Sequence, residues 1–179
     1  MDASSLVDSL LPVADTLAGD ALLQGGQVRE WIARASGPWR YLLVFVLAAI
    51  PWLEILLVIP AGIAIGLDPL LVAGVAFAGN ALPIYGIVLA YERLAARFGW
   101  GEGEGSKRRE RARRVWNSYG LPGLAFAAPV LTGVHLAAVI ALGLGARGRS
   151  TLGWMTASIA VWTVAITAAT VAGVAVLGL

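Results

Sequence analysis

The chain has 179 residues, 59% of them hydrophobic and 13% charged, with a mean hydropathy of +0.79, far from the roughly half-apolar, quarter-charged balance of a soluble domain. Zero cysteines exclude disulfides, thiol catalysis and thiolate metal sites, and one histidine excludes a His-rich metal cage. The net charge of +2 matters less than its placement. Four runs that are uncharged or nearly so, 41–67, 69–91, 120–146 and 151–179, each exceed the ~20 residues that span a bilayer. An integral membrane protein without a soluble catalytic domain is implied, with no cofactor and no enzymatic activity expected.

In residues 1–38, Leu6, Leu10, Val13 and Leu17 recur at helical spacing while Asp8 and Asp15 face elsewhere, the pattern of an amphipathic helix on a membrane surface. An acidic start without a prompt apolar stretch argues against a cleaved signal peptide. Residues 28–35, "VREWIARA", predict a second interfacial piece closed by Gly37-Pro38, with Trp39 and Tyr41 at headgroup level.

The membrane domain, 39–179, divides into 41–91, a basic loop at 92–118, and 119–179. The first part opens on an apolar run interrupted by Pro51, Glu54 and Pro60-Ala61-Gly62. "IPWLEILLVIPAGIAIGL" (50–67) aligns with "APVLTGVHLAAVIALGL" (128–144) with one gap, setting Pro51 over Pro129 and Glu54 over Thr132. Each copy is followed by a smooth run, so the pattern is a tandem repeat. The smooth run 69–91 starts at Pro69 beside Asp68 and carries Asn80 and Pro83 near its middle. The basic loop holds eight Lys/Arg and four Glu. Its "GWGEGEG" lacks a preceding strand and would repel phosphate, so it reads as a flexible joint. Its "KRRERARR" is expected to hold the loop in the cytoplasm and near anionic lipid, not to bind nucleic acid.

Charge selects the topology. If both broken segments crossed fully, Arg147 and Arg149 would lie outside; if each entered and returned on one side, they would join the basic loop inside. The length allows this, since arms of ~13 residues reach ~20 Å, past the midplane of a ~30 Å core. Pro51, Pro60 and Pro129 remove donors, and Gly62 and Gly133 permit turning. The expected fold is therefore an all-α integral membrane protein of two inverted repeats, each a Pro-broken re-entrant hairpin plus a transmembrane helix, preceded by an amphipathic helix. Irregular backbone at depth, at matching points of two repeats, points to a transporter's midplane site.

Glu54 with Ile59-Pro60, Gly79-Asn80, Tyr119-Gly120 and Thr132-Gly133 resemble the small multidrug export protein family, related in architecture to the DedA-like membrane proteins. The resemblance spans roughly 45–175. It implies paired re-entrant hairpins and export of a small amphipathic molecule; the DedA-like kinship implies, as the alternative, a translocase of polyprenyl-phosphate or another lipid. The chain departs from the family pattern at Ile55-Leu56-Leu57, where a basic residue is usual, and at His135, where an aromatic is expected.

The residues expected to bind substrate or ion are Glu54, Pro60, Asn80, Pro129, Thr132, Gly133 and His135. An intramembrane carboxylate costs about 2.5 to 3.5 kcal/mol if charged at the centre, so Glu54 needs a partner or a task. The two readings are a proton- or cation-binding group and a cap on broken backbone. His135 either pairs with Glu54 or bonds a freed carbonyl. Asn80 either bonds across helices or meets substrate. The hydroxyls of Thr156, Ser158, Thr163 and Thr167 are expected to bond their own helix. No nucleotide-binding motif is present, so an ion or proton gradient is the expected energy source. Two crossings per chain make a homodimer the expected way to enclose a polar path. A plasma-membrane location with these arginines inside predicts that Ser4→Cys reacts with an impermeant thiol reagent in intact cells, whereas Ser106→Cys and Ser150→Cys react only after lysis.

Overall fold

The computed structural model describes residues 19–20, 23–98 and 120–177. Among them, seven helices and no strand occur: α1 (23–34), α2 (Trp39–Ala48), α3 (Glu54–Ala64), α4 (Pro69–Phe98), α5 (Leu121–Leu131), α6 (Val134–Gly143) and α7 (Gly148–Leu177). The expected surface helix around Leu6 to Leu17, the glycine joint and the "KRRERARR" run lie outside the described residues. The piece expected at 28–35 is already helical at 23, and it is not only superficial: Val28 and Ile32 are fully buried in the core. The basic segment expected from residue 92 is helical through Phe98, because α4 continues past its apolar stretch.

The boundaries follow from local chemistry. Asp68 Oδ1 accepts the Leu71 N–H at 2.8 Å, and Pro69 occupies the first turn, where a missing donor costs nothing. α3 ends at Gly66 (φ 83°), where the Gly66 N–H reaches Ile63 O and the Leu67 N–H reaches Gly62 O. α6 ends the same way at Gly145 (φ 87°), with the Gly145 N–H on Leu142 O and the Ala146 N–H on Ala141 O. Both are left-handed glycine stops that satisfy carbonyls the helix leaves open.

These matched stops give the repeat its register. α4 and α7 each run 30 residues, starting at Pro69 and Gly148, so equivalent positions lie 79 apart. Buried positions follow the same offset: Val72, Ala76, Gly79, Asn80 and Ile84 on α4 match Thr151, Met155, Ser158, Ile159 and Thr163 on α7. This register differs by one position from the sequence alignment at Glu54, which it sets over Gly133 instead of Thr132, and by two at Gly66, which it sets over Gly145 instead of Gly143. Low-complexity Ala/Leu/Val sequence hid the shift, which only the turn glycines reveal.

The helices pack reciprocally. α2 lies on α4 as α5 lies on α7; α3 touches α7 as α6 touches α4; and α4 packs along α7. The long helices run antiparallel, since Tyr85 Oη meets Thr156 Oγ1 at 3.4 Å while Glu92, further along α4, lies against Gly148 at the start of α7. Tyr91 Oη donates to Leu142 O at 3.0 Å, so the α6–α7 turn sits at the end of α4. The α2–α3 segment folds back on itself: the hydroxyl of Tyr41, near the start of α2, accepts the N–H of Asp68, just past α3, at 3.3 Å.

The folding points are 49–53 and Thr132-Gly133. Pro51 and Gly133 stand there as expected, but Pro60 and Gly62 do not. Both lie inside α3, where a Cβ on Gly62 would touch the Val72 side chain at 3.2 Å, so Gly62 allows α4 to approach. Pro129 also lies within a helix, α5. Its missing N–H leaves Ala125 O without an intrahelical partner, and Ser158 Oγ donates to that oxygen at 2.7 Å. Ser158 thus bonds across helices, not within its own. Thr163 and Thr167 hydroxyls are buried without a partner.

α4 and the stretch Gly148–Val176 are long and apolar enough to cross a membrane, with mean hydropathies of 1.8 and 2.1. Their outward faces expose Leu70 (81%), Val164 (69%) and Val176 (85%). Such surfaces suit lipid.

The bond from Ser158 to Ala125 predicts a coupled pair. Ser158→Ala should cost about 0.6 to 1.7 kcal/mol, the range of interhelical hydrogen bonds in membranes. In a Pro129→Ala background that cost should shrink, because the restored N–H at 129 can satisfy Ala125 O. Thermal unfolding of the four-member cycle in detergent checks this.

Candidate functional site

The site forms where the two folding points meet. Glu54 opens α3 and is 4% exposed, with its backbone in the left-handed region (φ 36°). That conformation is an outlier for a residue with a Cβ, of a kind that costs about 1 to 3 kcal/mol and persists only where surroundings enforce it. Here the surroundings belong to the other repeat. The Val134 N–H donates to Glu54 Oε1 at 3.0 Å and lies 3.3 Å from Oε2, and His135 Nδ1 is 3.0 Å from Oε1. The carboxylate therefore caps the N-terminus of α6 from outside, where open N–H groups and the helix dipole favour an anion.

Gly133 makes the approach possible. Its backbone (φ 77°, ψ 147°) belongs to a region almost restricted to glycine, and a Cβ there would lie 2.6 Å from Glu54 Oε1 and 3.2 Å from Pro51 O. Glu54 and Gly133, 79 residues apart like the starts of the two long helices, therefore touch. Asn80 and Ile159 share that spacing, and the Tyr85–Thr156 and Glu92–Gly148 contacts place them near the crossing of α4 and α7.

Of the expected residues, the structure brings together Glu54, Gly133 and His135. Thr132 adjoins them at the folding point, where its hydroxyl faces Gly133 O at 3.4 Å on the exposed side. Asn80 is fully buried and neither amide atom has a partner. Pro60 and Pro129 act on helix backbone instead of contacting the carboxylate. Sequence reasoning missed the Val134 N–H and the Pro51 carbonyl, because backbone groups leave no mark in residue identity. The Gly-Val-His order after a break was the available signal, since a helix starting at Val134 aims its first N–H groups at whatever lies before it.

His135 is 3% exposed and its Nε2 has no partner. The arrangement is a buried acid–imidazole pair with one ring nitrogen unused, at the meeting point of two broken segments. Among the described residues no group of three or more potential metal ligands occurs. A family model described as "Putative small multi-drug export protein" matches residues 54–165, a stretch that begins at Glu54. No curated protein and no solved structure matches the chain.

Gly133→Ala and Gly66→Ala separate backbone strain from displacement of the carboxylate. Both place a Cβ at positive φ, but a Cβ on Gly66 would meet nothing within 4 Å. Gly66→Ala should cost about 1 to 2 kcal/mol. Gly133→Ala should cost more and should lower the melting temperature less in a Glu54→Ala background, as measured by thermal unfolding.

Proposed function

The chain belongs to the small multi-drug export protein family, and we propose that it is a membrane transporter that moves a small amphipathic molecule, coupled to protonation of the Glu54–His135 pair. One observation carries the reading: the sole acid of the apolar run 41–67 is held, buried, between the folding points of both repeats. A group held between two similar halves can be exposed to either side by small movements of one half against the other.

The same reading treats the two folded segments as re-entrant hairpins and the repeats as inverted about an axis in the membrane plane. The antiparallel long helices and the Tyr41–Asp68 closure support it. The α6–α7 turn beside Tyr91 and Glu92 puts Arg147 and Arg149 at the end of α4 that leads into the basic loop, in keeping with a cytoplasmic location for all of them. A second copy of the chain would help enclose the path.

Ethidium, a cationic amphipathic dye, tests the reading in proteoliposomes with an imposed pH gradient. The unaltered protein should accumulate it, and Glu54→Gln should reduce accumulation to the level of empty vesicles while the protein stays folded. Undiminished accumulation by Glu54→Gln would remove the site. A fluorescent polyprenyl phosphate in the same vesicles distinguishes the lipid translocase: movement of that probe, and not of ethidium, would favour it.

A further inference from the structure

The pair has two candidate positions for a proton, the carboxylate and the ring, and their hydrogen bonds are unequal. Both Glu54 oxygens already face the Val134 N–H, and Oε1 also faces His135 Nδ1. With Glu54 ionised, each of its oxygens can only accept, so the ring donates through Nδ1. A neutral imidazole that donates at one nitrogen has a bare lone pair at the other. That other nitrogen, Nε2, is the buried ring atom without a partner.

We infer that His135 Nε2 is the atom that takes up the transported proton, with Glu54 as the fixed counter-charge that sets the tautomer. The inference rests on the transport reading above and deepens it. In the loading step a hydronium ion, on the side to which the site is open, gives its proton to the Nε2 lone pair. One O–H bond breaks, one N–H bond forms and water leaves. The ring becomes an imidazolium held by Glu54, and the buried pair loses its net negative charge. Release on the opposite side reverses these bonds.

No other ionisable side chain competes at this place among the described residues. α5 carries none; α3 contributes only Glu54; and α7 carries only Arg149, at its start. On α4, Tyr85 faces Thr156, Tyr91 bonds Leu142 O at the far end of α6, and Glu92 lies against Gly148; Arg93 and Arg97 follow in the exposed last turns. Asn80, on the helix that packs against α6, is buried and polar but does not titrate.

The chain contains one histidine, so nitrogen-15 histidine labelling of the full-length protein in lipid nanodiscs gives the spectrum of this ring alone. At alkaline pH the spectrum should show a protonated Nδ1 and an unprotonated Nε2. Acidification should convert Nε2 to the protonated form and leave Nδ1 protonated. Glu54→Gln should lose the preference for the Nδ1–H tautomer, because its amide can donate to the ring. A proton on Nε2 at alkaline pH, or an Nε2 that stays unprotonated across the acidic range in folded protein, overturns the assignment.

His135→Gln provides the transport readout. Its amide can still donate to Glu54 but cannot take up a proton, so it should lose uphill ethidium accumulation yet retain downhill exchange. Loss of both in folded protein would overturn the carrier role. If Glu54→Gln abolishes transport while the ring fails its titration, the transport reading stands and this inference falls. If the ring titrates as described while Glu54→Gln transports normally, coupling through the Glu54–His135 pair falls and takes the carrier role with it.

Discussion

One carboxylate joins the two halves of this chain. Glu54 reaches from the start of α3 to the start of α6, and its oxygens satisfy backbone that the break at Thr132-Gly133 leaves open. In lipid, open N–H groups cost several kcal/mol each, so a broken segment needs such a partner to exist at all. The polar group and the broken backbone stabilise each other. The left-handed backbone of Glu54 fits this dependence, because a conformation that unfavourable must be maintained by contacts elsewhere.

Equivalent positions in the two halves meet the same packing requirement by different means. Where α2 crosses α4, Gly79 lets the Phe45 carbonyl lie against the helix; a Cβ there would collide with it. Where α5 crosses α7, Ser158 occupies the equivalent position and donates to Ala125 O. One half brings backbones close with glycine, and the other links them with a hydroxyl. Both devices suit a membrane, where small residues and interhelical hydrogen bonds replace the hydrophobic drive between helices.

Much of this was legible in the chain. The apolar runs give the long helices, Asp68-Pro69 gives a helix start, and the lone acid in 41–67 points to the site. Proline was a weaker guide. It marks a fold point at Pro51 but lies inside helices at Pro60, Pro83 and Pro129, where a freed carbonyl can find a partner on another helix. Residue type alone does not distinguish a turn from a tolerated kink. The repeat was visible but its register was not: Ala, Leu and Val slide past one another at little cost in similarity, and only the left-handed turns at Gly66 and Gly145 fix the offset. Hydroxyls expected to bond within their own helix instead reach other helices or have no partner, a choice that depends on which neighbour a helix face meets.

The contact between Glu54 and Gly133 needs two unlike partners. Were a second glutamate to stand where Gly133 is, two carboxylates would face each other and repel. Were a second glycine to stand where Glu54 is, the space would be empty and the start of α6 uncapped. The meeting point is therefore asymmetric by chemical necessity, with one half contributing the charge and the other giving up its side chain to admit it.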